Sequence, residues 1–151
     1  MDNTIATNKK AFRDYSIIER YESGIVLKGS EVKSLREKRA SINDSFARVE
    51  NDGIMLYNCH ISSYEKRDGF DKLEPTRPRK LLLHKKEIER LAQKVAERGL
   101  SLVPLALYFN KRGLAKIELA LVKGKKIFDK RKQVKERELQ RGLRRLEQHK
   151  R

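Results

Sequence analysis

Residues 45–50 and 53–60 are two β-patterned runs separated by Asn51-Asp52-Gly53, and this junction constrains the fold more than any other stretch of the chain. A connection that short needs positive φ, which Asp and especially Gly tolerate, so the pair reads as a β-hairpin. Further short runs of branched and aromatic residues lie at 15–21, 24–28, 79–83, 101–110 and 114–122, bounded by turn formers. Asn110-Lys111-Arg112-Gly113 joins the last two, which makes a second antiparallel pair.

Two helical patterns interrupt the strands. Ser30 is placed to cap a helix reaching Arg39, with Glu31 near its positive end and Lys38 and Arg39 near its negative end. Over residues 85–98, Ile88, Leu91, Ala92 and Val95 recur at i, i+3, i+4 and i+7, and Gly99 supplies a stop. Six or so short strands with one packed helix predict a closed or partly closed barrel, because closure removes exposed strand edges. Such barrels often bind nucleic acid, an argument from analogy that the residues themselves must support. The stretch 62–79 carries two prolines and many charges and reads as a long, exposed, mobile loop.

A chain of 151 residues suits one barrel domain, taken as 1–124, with an appendage at 125–151. The appendage holds 12 Lys/Arg against 4 Asp/Glu, a net of +8 out of +16 for the chain. Both parts are therefore basic, which points to a polyanionic partner. Cys59 is the one cysteine, so no disulfide framework can form, in keeping with a reducing compartment. No apolar leader or 18-residue apolar run is present, and the expected location is cytoplasmic, without membrane contact.

Catalytic patterns are weak. His60, His84 and His149 lack metalloprotease spacing, and Ser30-Glu31-Val32-Lys33 matches an S-x-x-K box without its companion motifs. No phosphate-binding glycine loop occurs, so neither an enzyme nor a cofactor or metal is expected. Basic clusters fit phosphate recognition: Asn8-Lys9-Lys10, Lys33 with Arg36, residues 77–80, 111–116 and 123–126. Any single cluster can be a solvated face; five together with a basic tail favour nucleic acid. Tyr15, Tyr21, Phe46, Tyr57, Tyr108 and Phe109 fall in strands, where packing is the default role. Phe128 lies beyond the last strand, and with Ile127 it either closes a gap on the barrel rim or is free to stack on a base, the latter being favoured. Leu139, Leu143 and Leu146 give the tail a thin helical ridge, broken by Gly142, so the segment should be disordered alone and helical only against phosphates. A helix over 132–148 would be about 25 Å long, enough to line a channel.

The blocks NKKAFRDY, YESGIVLKGSEVKSLR, DSFARVENDGIMLYNCHISSY, PTRPRKLLLHKKEI and KGKKIFDKR, in this order, resemble the small protein B (SmpB) family. The resemblance implies a mainly β fold, an OB-like antiparallel barrel with about three α-helices and a basic C-terminal tail disordered in free solution. It also implies binding of the tRNA-like domain of transfer-messenger RNA (tmRNA) and rescue of ribosomes stalled on mRNA lacking a stop codon. Elongation factor Tu and alanyl-tRNA synthetase would be engaged indirectly, through that RNA, and small-subunit ribosomal RNA directly; a monomer is expected. Asn8, Lys9, Glu22 and Lys116 match family positions tied to tmRNA binding, and Lys10 adjoins them. Lys33 and Arg36 match the E-V-K-S-L-R block, where phosphate contact and helix solvation both account for them. Leu82 is assigned to the core. Asp129, Lys130 and Arg131 match the family's D-K-R, which acts on the ribosome; Lys125, Lys126, Phe128, Leu143 and Leu146 extend that tail surface towards the decoding centre and empty mRNA path.

Overall fold

The structure, a computed structural model, describes residues 3–51, 53–63, 73–97 and 99–124. Strands β1 (Thr4–Thr7), β2 (Tyr15–Ile25), β3 (Ala40–Ser41), β4 (Phe46–Glu50), β5 (Gly53–Tyr57), β6 (His60–Ile61), β7 (Arg79–Leu82), β8 (Leu100–Phe109) and β9 (Ala115–Gly124) are interleaved with helices α1 (Lys9–Asp14), α2 (Gly29–Arg36) and α3 (Lys85–Ala96). The sheet order is β1-β8-β4-β5-β7-β2-β9, and β8 also pairs with β9, so the strands from β8 round to β9 close an antiparallel barrel. Closure is thinnest between β4 and β8, which share only the pair Ala47 and Leu102.

The interior is apolar by alternation. Ile54, Leu56, Leu81, Leu102, Leu107, Ile117, Leu119 and Leu121 point inward from successive strands. Helix α3 adds Leu91, fully buried, with Ile88 and Val95 packed beside it, which is the stripe read from the sequence. A smaller cluster, Ala11, Val103, Leu105, Ala120 and Val122, lies on the outer side of the barrel wall, where α1 packs on β8 and β2.

The two predicted turns form. Glu50 pairs with Gly53, and Asn51 takes the left-handed backbone with φ of 45°. In the second, the Asn110 carboxamide oxygen accepts from the amides of Arg112 and Leu114 at 3.0 and 2.9 Å, and Gly113 has φ of 75°.

Several expectations are corrected. Runs 15–21 and 24–28 are one strand ending at Ile25, because Gly24 is a place of close approach and no turn: a Cβ there would lie 3.2 Å from Leu82 Cβ. Run 53–60 breaks at Asn58, whose φ is 59°, and resumes as β6 against β3. The cap of α2 is Lys28, whose amide donates to the Glu31 carboxylate at 2.8 Å, so Ser30 is already helical; the helix stops at Arg36 and Lys38 has φ of 56°. Helix α1 and strands β1, β3 and β6 escaped the pattern reading, being too short for a periodicity to register; the third helix was implied only by the resemblance. Residues 125–151, and with them Lys125, Lys126, Phe128, Asp129, Lys130, Arg131, Leu143 and Leu146 of the expected tail surface, lie outside the described residues.

The ends of the 62–79 stretch are anchored. The Pro75 carbonyl accepts from the Ile61 amide at 3.0 Å and from Arg79 Nη2 at 2.9 Å. Arg79 is 1% exposed; its Nε donates to Glu31 at 2.7 Å and its Nη1 to the Cys59 carbonyl at 2.5 Å. Arg77 also donates to Glu31. Burial alone would raise the Glu31 pKa, but the bonds from Arg77, the Lys28 amide and Arg79 outweigh it and hold the carboxyl below its usual range. The basic cluster 77–80 therefore spends both arginines on structure, and of its cations only Lys80 is exposed. At the α3 side, Arg90 binds Glu19 at 2.6 Å, and that hydrogen bond, with one from Tyr21, pulls the Glu19 pKa down to about 2.

Candidate nucleic-acid interface

Cross-strand register builds the site. Leu82 on β7 faces Gly24 on β2, Gly24 faces Lys116 on β9, and Lys116 faces Tyr108 on β8. Directly opposed residues project to one face, so these four form a row across four strands. Their neighbours Ser23, Leu107 and Ile117 are buried inside, which turns the row outward. Two residues along, Glu22 faces Glu118 and joins the same outer face.

Charge pairing on this face is uneven. Glu118 is bridged by Arg20 at 3.1 Å, and the Arg20 guanidinium sits 5.8 Å from the Phe12 ring of α1. Among the described residues, the Lys116 side chain makes no ion pair or hydrogen bond, and the Glu22 side chain has a single partner, the Tyr108 hydroxyl, which donates to its carboxylate. Tyr108 lies on β8 and Glu22 on β2, so the phenol side chain reaches across β9. Burial first, then the bond to Glu22 and the charge of Glu118, push the Tyr108 pKa above its usual range, and the hydroxyl remains a donor. Leu82 is 52% exposed, which corrects its assignment to the core: Leu81 points inward and its neighbour must point out.

Helix α1 packs on the same outer side of the wall, against β8 and β2, and its geometry depends on Asn8. This residue is buried: Oδ1 accepts from the Ala11 amide at 3.0 Å, capping the helix, and Nδ2 donates to the Pro104 carbonyl at 2.9 Å. Asn8 thus fixes the start of the helix that carries Lys9, Lys10 and Phe12, which are exposed. Lys10 bridges Asp44 at 3.3 Å. Lys33 and Arg36 are not brought to the row; α2 packs beside β6. Of the strand aromatics, Phe46 stacks on Tyr57 at 5.5 Å, with Arg48 over both rings. Tyr108 and Leu82 are the residues of this face that the sequence reading passed over. Period-2 alternation in β7 would have flagged Leu82, but nothing local marks Tyr108, whose partner is 86 residues away.

Among the described residues no group of three or more His, Cys, Asp or Glu is arranged to hold a metal, and no helix is long and apolar enough to cross a membrane. The chain matches the family model for the SmpB protein over residues 5–149. It belongs to the SmpB family. An SsrA-binding protein of Carboxydothermus hydrogenoformans is 57% identical over 143 residues, covering 95% of each chain. A second, from Moorella thermoacetica, is 55% identical over 139 residues, covering 92% of this chain and 89% of its own. Among solved structures, a chain described as "tmRNA-SmpB: a journey to the center of the bacterial ribosome" aligns with a TM-score of 0.67 at 52% identity, covering 80% of this chain and 83% of that one. The expected architecture, an antiparallel barrel with three helices, is the one this family member adopts.

Proposed function

We propose that this protein binds transfer-messenger RNA and acts in trans-translation, releasing ribosomes stalled on mRNA without a stop codon. The observation that carries the proposal is the outer row of the barrel: Lys116 and Glu22, both free of ion pairs among the described residues, stand together on a rigid sheet in a chain whose relatives are SsrA-binding proteins. Lys116, Lys9 and Lys10 supply phosphate contacts for the tRNA-like domain, Leu82 an apolar contact, and Glu22 an acceptor that phosphate itself would repel. The body, residues 1–124, captures RNA without catalysing a reaction. The segment 125–151, with Lys125, Lys126, Phe128, Asp129, Lys130, Arg131, Leu143 and Leu146, is assigned to small-subunit RNA at the decoding centre and the vacated mRNA path. Elongation factor Tu and alanyl-tRNA synthetase act through the bound RNA, in the cytoplasm.

Capture of the protein from cells followed by RNA sequencing tests the partner; recovery of scattered RNAs without tmRNA enrichment overturns the proposal. A body that contacts about six to eight phosphates should lose roughly three to four decades of affinity between about 50 and 200 mM salt. Truncation after Gly124 should spare RNA capture and abolish tagging of stalled products, and loss of both together would refute the division of labour.

A further inference from the structure

Where β4 and β8 share only the pair Ala47 and Leu102, helix α3 lies across the divergence in contact with both strands. The divergence leaves a groove of about 410 Å³. Both apolar clusters contribute to its walls. Val49, Val95 and Leu100 are partly buried against the main core and Tyr15 against the smaller outer cluster, with Phe46 beside them. Among the described residues that line the groove, Arg48 alone is charged, and its guanidinium lies over the Phe46 and Tyr57 rings. A polynucleotide backbone needs several cations and finds one, already engaged. An apolar side chain, by contrast, finds half-covered apolar neighbours whose remaining surface it can remove from water.

The chain itself brings such side chains to the place. Strand β9 ends at the mouth of the groove: Lys123 faces Leu100 and Gly124 faces Tyr15, and both partners line it. Extended chain advances about 3.4 Å per residue, so Ile127 and Phe128, the third and fourth residues past Gly124, reach roughly 10 and 14 Å from that exit. In 125–151 no other two large apolar residues adjoin. Attachment through so short a connection gives an effective concentration on the order of millimolar, which a second copy or a foreign peptide would have to match.

We propose that in the free protein Ile127 and Phe128 seat in the groove between β4 and β8, covering Tyr15, Val49, Val95 and Leu100, and leave it when the tail engages the ribosome. One ring cannot occupy both places, so the two roles open to Phe128, closing the rim and stacking on a base, become successive states. Docking stands on the groove and on the exit of β9; release rests on the reading of 125–151 given above.

The test uses the full-length protein, which contains no tryptophan. Phe128→Trp therefore introduces a single indole, and Leu146→Trp, made separately, reports a tail position outside the groove. The indole at 128 should emit further to the blue and be quenched several-fold less by acrylamide than the indole at 146. Ser101→Arg, at an exposed position on the groove wall, should fill the site and abolish that difference. Ile127→Asp should abolish it too, and lying beyond the barrel it cannot act by unfolding the barrel. The natural ring is tested by removing 125–151: methyl resonances of Val49, Val95 and Leu100 should shift, and those of Leu81 and Ile117 on the far strands should not. Equal quenching at 128 and 146, or unshifted groove methyls, overturns docking. Protection that grows with protein concentration assigns the groove to a second copy and overturns it as well. With docking established, addition of tmRNA and stalled ribosomes should make quenching at 128 the same with and without Ser101→Arg; a persisting difference overturns release and leaves docking standing.

Discussion

Replacing Glu31 by Gln should be among the most damaging single changes in the barrel. Arg79 is 1% exposed and donates to Glu31 at 2.7 Å and to the carbonyls of Cys59 and Pro75; Glu31 itself is 4% exposed. Glutamine keeps one acceptor but turns an amide donor towards two guanidinium groups, and Arg79 becomes a buried charge without a counterion. Removing one partner of such a pair costs about 3–5 kcal/mol, against a total of about 5–15 kcal/mol for a domain of this kind. The melting temperature should fall by about 10–20 °C, read by circular dichroism and by urea titration with an unchanged m-value. Arg77 softens nothing here, being 24% exposed at its side chain and able to turn to water. The double replacement Glu31→Leu with Arg79→Met should recover most of the loss, because an apolar pair has no desolvation cost to repay. A Glu31→Gln variant within about 1 kcal/mol of wild type would refute the claim that the pair ties α2 and the ends of the 62–79 stretch to the barrel.

Asn8→Ala should cost about 1–2 kcal/mol through the lost cap of α1, and RNA affinity should fall although the residue is buried; undiminished affinity in filter binding would mean that α1 does not flank the RNA. Folded Glu19 and Glu31 have depressed pKa values, so their contribution is complete above the unfolded carboxylate value near 4.5 and is lost as pH falls, for Glu19 between 4.5 and about 2. Urea midpoints should drop steeply over that interval in wild type and less steeply in Glu19→Gln. Burial pushes the Cys59 thiol up to about 11, so its alkylation by iodoacetamide at neutral pH should track global unfolding; rapid labelling of native protein would contradict the packing described.

The solved relative and the register agree on architecture because the decisive signals are local. Turn chemistry at 51–53 and 110–113, period-2 alternation along β8 and β9, and the apolar stripe of α3 are each contained within a few residues, where backbone sterics and side-chain spacing act directly. Family blocks carried Glu22 and Lys116 as candidates one residue at a time. What those blocks could not supply was the grouping. Asn8 matched a tmRNA-binding position, and only the structure shows it buried as the cap of α1; residues 77–80 looked like a phosphate cluster and proved to hold a buried ion pair; Leu82 looked like core and faces solvent.

The amino-acid order by itself determined that the chain would form short antiparallel strands round an apolar interior, with a strongly cationic surface, since each of these follows from neighbours in sequence and from composition. Only the tertiary structure decided that Leu82, Gly24, Lys116 and Tyr108 share one outward row, and that a tyrosine 86 positions from Glu22 would hold its carboxylate. The reason is physical: a one-residue slip in register between any two of those strands would send the same side chains to the opposite face, and register is set by packing across the whole barrel.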